Sequence, residues 1–294
     1  MSKKIKIWIE AARLRTLPVS IAGVIAAIGV AYWQHRFALV PAVICLVFAI
    51  LAQITSNFAN EYYDFKRGTD KKGRVGPRRG VTEGDIKPET LRNVTFATLA
   101  LACVVGCCLI PFGGWWLVPV GIAIAVFALA YSAGPYALSY HGLGDVAVLV
   151  FFGLVPVNLT YYVQAGFWSP YALLVSVTIG LMGVNVLLVN NYRDMEDDKE
   201  ANKRTTVVIF GRKLAGTAYL ISGYFAAFFL SPIWIQLPVW ALAIPVLYLV
   251  MHTIAWKRLI SRQGAALNPL LGATGRNMLI FAVLLAVAMI LNPR

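Results

Sequence analysis

Apolar runs of about 17–25 residues recur along this 294-residue chain, and they constrain its fold more than any other feature. Each run is long enough to cross the roughly 30 Å hydrocarbon core of a bilayer as an α-helix. Backbone polar groups inside lipid have no water partners, so the runs must form helices rather than open strands. Charged residues make up 13% of the chain, about half the share of a typical soluble domain. The sequence therefore predicts an all-α polytopic membrane protein.

We predict nine spans in a single bundle, which forms one integral-membrane domain over residues 1–294. The predicted spans cover 17–34, 38–59, 93–111, 115–133, 145–163, 170–190, 213–231, 236–254 and 274–292. The connections after the second and sixth spans are long and charged, and the others are mostly short. Before the first span, the segment with Lys3, Lys4 and Lys6 is typical of an amphipathic helix at the membrane interface.

The distribution of positive charge predicts how the chain is oriented. If the N-terminal segment and every second loop lie on one side, 24 of the 26 Lys and Arg residues fall there. Only Arg36 and Arg294 fall opposite. The positive-inside rule places the basic side in the cytoplasm. We therefore expect a multi-pass protein of the cytoplasmic (inner) membrane, with a cytoplasmic N-terminus and active site and an external C-terminus. No nucleic-acid partner is expected, because the basic residues lie in short loops between spans.

Two acidic clusters share one pattern, and each follows a predicted span on the basic side. The first reads NEYYD at 60–64 and continues to Asp70, and the second reads NNYRD at 190–194 and continues to Asp198. Carboxylates are costly close to lipid and are rare there unless they bind or transport something. Helix capping or pairing with Lys and Arg would explain one such cluster. Two matched clusters at one membrane surface favour a shared site.

The spacing within each cluster suits a hard divalent cation. Residues four apart share one face of a helix, so the Asn and the Asp of each NxxxD pattern project toward the same point. Mg²⁺ is typically held by one or two carboxylates together with water and substrate phosphates. Gly68 predicts that the first helix ends before Asp70 and that a loop carries this residue back. The pattern predicts two facing sets of residues that bind a diphosphate through Mg²⁺: Asn60, Asp64 and Asp70 in the first, and Asn190, Asp194 and Asp198 in the second.

The loop after the first cluster is rich in Gly and in positive charge. Diphosphate requires such cations, and an Arg binds phosphate or carboxylate oxygens two at a time. No GxxxxGK[ST] pattern occurs, so the loop is not a P-loop nucleotide site. The topology alone would also explain a basic loop, and both interpretations stay open. The candidate substrate-binding residues are Lys66, Lys71, Arg74, Arg78 and Arg79 in this loop and Arg193 in the second cluster.

A third segment on the same side, at 131–145, has no basic residue and supplies aromatic rings, hydroxyls and one carboxylate. Tyr131 and Tyr140 either stabilise a positively charged allylic intermediate away from water or anchor the chain at the membrane interface. Asp145 opens the fifth span beside Gly144, and we predict that it is functional. No GxSxG, HExxH or Ser/His/Asp grouping occurs, which disfavours an intramembrane hydrolase.

These motifs resemble those of the UbiA superfamily of intramembrane aromatic prenyltransferases over essentially the whole chain. The resemblance rests on RTLP at 15–18, NEYYDFKRGTD at 60–70 with RVGPRRG at 74–80, YSAGPYALSYHGLGDVAVLVFFG at 131–153, and NNYRDMEDDKEANKRT at 190–205. Within the superfamily the motifs are most similar to those of enzymes that prenylate 1,4-dihydroxy-2-naphthoate in menaquinone synthesis.

The resemblance implies transfer of a polyprenyl group from polyprenyl diphosphate to 1,4-dihydroxy-2-naphthoate, with loss of the carboxylate, to give demethylmenaquinone. It implies Mg²⁺ at the two acidic clusters and adds Arg15 to the substrate-binding residues. It also implies a lipid bilayer around the protein and no obligate protein partner. The residues expected to act in catalysis are Asp64, Asp194, Asp198, Tyr131, Tyr140 and Asp145. One alternative is a sister enzyme for another ring, such as 4-hydroxybenzoate, and a second, from a different class, is a divalent-cation transporter.

The chain departs from the family pattern in three places. Many relatives have Asp where this chain has Glu61. The commoner first motif ends at the position of Gly68, whereas the naphthoate subgroup ends it at Asp70. A Tyr-x-x-x-Lys motif of several relatives appears here as Tyr131 followed by Pro135. The role of that Lys is then open to three residues of the basic loop: Lys66, Lys71 and Arg74.

Overall fold

The computed structural model describes residues 2–73, 75–134 and 136–294, and every regular element in these ranges is a helix. Eight of the helices are long and apolar enough to cross a membrane. A further apolar helix, Leu117–Ala130, has 14 residues and lies where the fourth span is predicted. The predicted all-α membrane fold is confirmed, and the nine predicted spans correspond to these nine helices.

We label the membrane helices α1 to α9 in chain order. They are Leu17–Trp33, Leu39–Lys66, Pro88–Cys107, Leu117–Ala130, Gly144–Ala165, Pro170–Arg193, Thr206–Phe229, Ala243–Ser261 and Asn268–Ile290. An N-terminal helix, Lys3–Ala12, precedes α1, and a short helix, Met195–Glu200, follows α6. We call the end of the bundle that holds residues 60–70 and 190–198 the acidic end.

The helices continue past their apolar runs at the acidic end, which is the main difference from the predicted bounds. α2 extends to Lys66 instead of ending at 59, so the whole NEYYD pattern is helical. A helical turn begins at Thr206, where the Thr205 hydroxyl accepts a hydrogen bond from the Val208 amide. Gly211 has a non-helical conformation (φ 80°, ψ 163°) that kinks α7, so the continuous part of this helix starts after Gly211, close to the predicted residue 213. The apolar run shows only which residues of a helix lie in the lipid core. The backbone hydrogen bonds of the helix continue beyond that run, into the polar boundary of the membrane.

The centre of the bundle consists of α1, α6 and α9, which pack closely through small residues. A Cβ atom added at Gly29 of α1 would lie only 2.6 Å from the Cα atom of Ala286 in α9. A Cβ atom added at Gly153 of α5 would lie 2.4 Å from the Cα atom of Gly180 in α6. In lipid, helices associate largely through such close backbone contact. α3 and α4 lie at the periphery, next to α2.

An apolar cavity of about 380 Å³ lies among α1 to α5. Most of its lining is aliphatic or aromatic, including Phe151 and Phe152 from a π-helical segment of α5. Tyr131, which directly follows α4, borders it at the acidic end. The fold therefore places an apolar chamber within the membrane region beside the segments that carry the acidic clusters.

Candidate active site

The first acidic cluster is held by hydrogen bonds at the end of α2. The amide nitrogen of Asn60 donates to Asp64 Oδ2 at 2.9 Å and to Ser132 Oγ at 3.0 Å. Its amide oxygen accepts from Arg13 at 2.8 Å and from Arg79 at 3.2 Å. The predicted alignment of Asn60 with Asp64 is therefore present. Two Arg side chains, from the N-terminal segment and from the basic loop, meet at the same amide.

A loop returns Asp70 to this cluster, as the sequence predicts. α2 ends at Lys66, and Gly68 has a φ of 73°, a left-handed conformation that glycine adopts without steric cost. Asp70 Oδ2 then lies 3.0 Å from Arg79 Nε, and both side chains are buried. Because Arg79 also donates to Asn60, it connects the helical and loop parts of the cluster.

The second acidic cluster is centred on Arg193. Its guanidinium donates twice to the carboxylate of Asp194, at 2.6 Å each, and once to Asn190 Oδ1 at 2.8 Å. A further nitrogen donates to Asn268 Oδ1 at 3.1 Å, which ties the start of α9 to the cluster. α6 ends at Arg193, so Asp198 lies on the short helix that follows and not on the same helix as Asn190.

Lys203 lies between the two clusters. Its ammonium nitrogen is 3.3 Å from Asp198 Oδ1 and 5.5 Å from the ring centroid of Tyr140. The Tyr140 hydroxyl donates to Asp64 Oδ1 at 3.1 Å, and the guanidinium of Arg67 lies 4.5 Å from the centroid of the same ring. Tyr140 is therefore placed between two cations and touches the first cluster, while Lys203 touches the second.

Charges from both clusters act on Lys203 and Asp198. Burial alone would lower the pKa of Lys203, but the charges of Asp198 and Asp64 raise it above its ordinary value, so the ammonium group is charged. The pKa of Asp198 is raised to about 6, chiefly by burial, with Lys203 lowering it and Asp194 and Asp64 raising it. Since Asp64 of the first cluster acts on both groups of the second, the two sets of carboxylates share one site.

The donor set suits Mg²⁺, which prefers hard oxygen ligands. Oδ2 of Asp198 is buried and has no hydrogen-bond partner among the residues that the structure describes. Within the same residues, no three His, Cys, Asp or Glu side chains form a ready-made metal-binding group. In the described ranges, three cations lie against the carboxylates, namely Arg79, Arg193 and Lys203. These cations offset the repulsion between the facing carboxylates.

Four other predicted substrate-binding residues lie at the surface of the described part of the chain: Arg15, Lys66, Lys71 and Arg78. Arg15 is exposed in the turn before α1, and Lys66 is exposed at the end of α2. Lys71 is exposed and pairs with Glu200 at 3.5 Å, and Arg78 pairs at the surface with Glu10 and Asp85. Arg74 lies outside the described residues. Among the described members of this predicted set, only Arg79 and Arg193 are buried within the acidic clusters.

The two remaining predicted residues lie next to the site. Tyr131 borders the apolar cavity and is within electrostatic range of Lys203 and Asp64. Asp145 is half-buried at the start of α5, and its Oδ1 atom has no hydrogen-bond partner in the described ranges. Gly144, which precedes Asp145 in the chain, lies close to Tyr131: a Cβ atom added to Gly144 would be 3.5 Å from the Tyr131 hydroxyl.

Three functional candidates were missed at the sequence level. Arg13 follows the N-terminal helix, Arg67 directly follows α2, and Lys203 lies five residues after Asp198. Each is one of many cations on the basic side. The sequence contains two weak signals for Lys203: it is one of the basic residues of the loop after the second cluster, and it lies within the NNYRDMEDDKEANKRT segment that carries the family resemblance.

Comparison with known proteins identifies the group to which this site is similar. Residues 18–274 match the UbiA prenyltransferase family. The chain is 37% identical to the 1,4-dihydroxy-2-naphthoate octaprenyltransferase of Escherichia coli (strain K12), over 69% of this chain and 68% of that protein. It is 35% identical to the protein of the same name from Mycobacterium tuberculosis, over 96% of each. The fold is similar to the structure of a UbiA homolog from Archaeoglobus fulgidus bound to GPP and Mg²⁺, with a TM-score of 0.69, 16% identity and coverage of 96% of this chain and 99% of that one.

Proposed function

The chain belongs to the UbiA prenyltransferase family, and on this basis we propose that it transfers a polyprenyl group from polyprenyl diphosphate to 1,4-dihydroxy-2-naphthoate with the help of Mg²⁺. One observation carries the proposal: two acidic clusters face each other across Lys203, next to an apolar cavity. The relatives named as naphthoate octaprenyltransferases support the choice of acceptor. The Mg²⁺ in the homolog from Archaeoglobus fulgidus supports the choice of metal.

The acidic end would bind the diphosphate of the donor. The residues that would hold Mg²⁺ are Asn60, Asp64, Asp70, Asn190, Asp194 and Asp198. When bound, Mg²⁺ supplies Lewis acidity toward the diphosphate oxygens. Arg79, Arg193 and Lys203 already lie against the carboxylates, so they are placed to donate charge-assisted hydrogen bonds to the same oxygens. Fixed positive charge stabilises a diphosphate most as it leaves, when its negative charge increases.

The apolar cavity would hold the polyprenyl chain and keep water away from the allylic carbon. Cleavage of the bond between that carbon and the diphosphate oxygen sends the electron pair to the leaving group and makes the carbon cationic. Tyr131 borders the cavity, and Tyr140 touches Asp64, so their rings lie where this charge develops. Exclusion of water favours attack by the electron-rich acceptor ring over hydrolysis.

The carboxylate of the acceptor would leave as carbon dioxide after the new carbon–carbon bond forms, which gives demethylmenaquinone in its reduced, quinol form.

We further propose that the acidic end is cytoplasmic, in the inner membrane, from the 24-to-2 distribution of Lys and Arg. Transfer to 4-hydroxybenzoate is the alternative within the family. A transporter would need polar groups along a path across the bundle, but the sequence places all 13 Asp and Glu at the acidic end.

The test uses purified protein in lipid nanodiscs with Mg²⁺ and a polyprenyl diphosphate. Each acceptor is supplied separately, and the products are identified by mass spectrometry. We expect a prenylated naphthalene product that lacks the carboxylate, and equal release of labelled carbon dioxide from carboxyl-labelled acceptor. Faster turnover of 4-hydroxybenzoate would show that the acceptor assignment is wrong. No prenylated product from any aromatic acceptor would contradict the proposed activity itself.

A further inference from the structure

Amide side chains continue from the first acidic cluster along one face of α2 into the bundle. Gln53, Asn57, Asn60 and Asp64 recur at intervals of three and four residues, which places them on the same face. Nε2 of Gln53 donates to Asn57 Oδ1 at 3.1 Å. At a rise of 1.5 Å per residue, Gln53 lies about 10 Å from Asn60 along the helix. The diphosphate and metal contacts proposed above use only the outer part of this row.

The hydrogen bonds of its neighbours determine which way the amide of Gln53 faces. The amide nitrogen of Asn57 donates to the Ala12 carbonyl at 2.9 Å, so Asn57 Oδ1 is an acceptor on the side of Gln53. The Thr16 hydroxyl donates to the Arg13 carbonyl at 2.9 Å, so it accepts from Gln53 Nε2 at 3.2 Å. Both of these partners require the nitrogen of the Gln53 amide. The oxygen, Oε1, therefore faces away from them.

The oxygen of this amide has no hydrogen-bond partner among the described residues. Gln53 is 8% exposed and borders the apolar cavity, and its Oε1 atom is buried without a hydrogen bond in the described part of the chain. Ser20 also borders the cavity, but its hydroxyl donates to the Leu17 carbonyl at 3.0 Å. An unsatisfied buried carbonyl is unfavourable, and native proteins leave few of them without a functional reason. A ligand in the cavity that carries a hydroxyl donor would satisfy it once the Gln53 side chain turns to expose the oxygen, which has almost no accessible surface in this structure.

We propose that Gln53 Oε1 accepts a hydrogen bond from the ring hydroxyl of the aromatic acceptor that lies farthest from the acceptor carboxylate. The inference rests on the proposed function and assigns the orientation of the acceptor ring. A neutral carbonyl oxygen attracts a hydroxyl and repels a carboxylate. The carboxylate therefore points toward the acidic end, where Arg13 and Arg79 meet at Asn60. For 1,4-dihydroxy-2-naphthoate, this arrangement assigns the 4-hydroxyl to Gln53.

A specificity for the hydroxyl follows from this arrangement. A site that hydrogen-bonds a substrate hydroxyl strongly rejects an analogue without it, because the buried oxygen is left unpaired. The wild-type protein should bind 1,4-dihydroxy-2-naphthoate at least roughly tenfold more tightly than 1-hydroxy-2-naphthoate. Gln53→Leu should weaken binding of the dihydroxy compound by a similar factor and change binding of the monohydroxy compound little, so that the preference disappears.

The experiment measures equilibrium binding of both compounds to the full-length protein in nanodiscs, under reducing conditions and with Mg²⁺ present. Thr16→Val is the matched control, since it removes a partner of Gln53 Nε2 but leaves Oε1 in place. It should affect both compounds alike. If Gln53→Leu weakens both compounds equally, or leaves the preference intact, Gln53 has only a packing role and the inference is wrong.

The wild-type protein provides a second test that does not depend on the folding of a variant. Equal affinity of the wild-type protein for the two compounds would also overturn the inference. Failure of the proposed function is distinguishable, because it appears as the absence of prenylated naphthoate product from the wild-type protein. If the wild-type protein forms that product but does not prefer the 4-hydroxyl, only the assignment to Gln53 fails.

Discussion

Replacement of Lys203 by Met removes the cation that lies between the acidic clusters. The Lys203 side chain is 12% exposed and its ammonium nitrogen is 3.3 Å from Asp198 Oδ1. At that distance, with an effective dielectric constant of about 20, the Coulomb attraction is about 5 kcal/mol. Part of it is offset by desolvation, and the loss of one partner from a buried pair typically costs about 3–5 kcal/mol. If about 3–4 kcal/mol of this is lost from the transition state, kcat falls by roughly 10²–10³.

The assay compares Lys203→Met, Lys203→Arg and Lys199→Met in nanodiscs, with steady-state kinetics for the donor and acceptor separately. Lys199 is exposed on the same segment, so its loss removes equal formal charge outside the site and should change kcat by less than about twofold. Lys203→Arg keeps the charge and should recover part of the rate. A kcat for Lys203→Met within about threefold of wild type, in a protein with normal melting behaviour, would refute the assignment.

Three further predictions test the metal ligands, the basic loop and the orientation. Asp194→Asn should abolish turnover without loss of folded protein in the membrane, and a normal rate at saturating Mg²⁺ would contradict a ligand role. Arg79→Gln should reduce kcat/KM by more than roughly tenfold because Arg79 is buried against Asp70 and Asn60, whereas Arg78→Gln, at the surface, should remain within about twofold of wild type. In a background without native cysteines, Lys72→Cys should react with an impermeant thiol reagent only from the cytoplasmic side and Phe167→Cys only from outside. The reverse labelling would show that the proposed orientation is wrong.

The pairing of every acidic cluster with a cation has a physical cause. Buried carboxylates that face one another repel, and burial raises the free energy of their charged forms. The positive charges of Arg79, Arg193 and Lys203 offset the repulsion and the cost of burial, and they keep the oxygen ligands close together. Binding of a metal–diphosphate complex would then exchange one set of ionic contacts for another without assembling the clusters from distant positions.

The structure adds further cations to those that the sequence suggested. The sequence suggested Lys66, Lys71 and Arg74 for the role of the missing Lys in the Tyr-x-x-x-Lys motif. Lys66 is exposed, Lys71 pairs with Glu200 at the surface, and Arg74 lies outside the described residues. Lys203, from the second cluster, and Arg67, from the end of α2, lie against Tyr140 instead. In addition, Arg13, two residues before the predicted Arg15, donates to Asn60.

The sequence by itself determined the helical membrane fold, the position of the nine spans and the two acidic clusters. Span length follows directly from the thickness of the bilayer, and an NxxxD spacing places two side chains on one helical face whatever the rest of the fold does. The return of Asp70 was equally predictable, because Gly68 ends α2 locally. These features depend on neighbours within a few residues.

Only the tertiary structure decided which cations and amides complete the site. The sequence assigns 24 Lys and Arg residues to one side of the bundle, in agreement with the positive-inside rule. Nothing in the sequence distinguishes those that reach the site from those that do not. Lys203 is distinguished from Lys199 by the packing of helices that bring Asp64 and Asp198 together. The orientation of the Gln53 amide depends on Ala12 and Thr16, which lie about 40 residues earlier in the chain. Such contacts arise from the assembly of the bundle, and no local spacing encodes them.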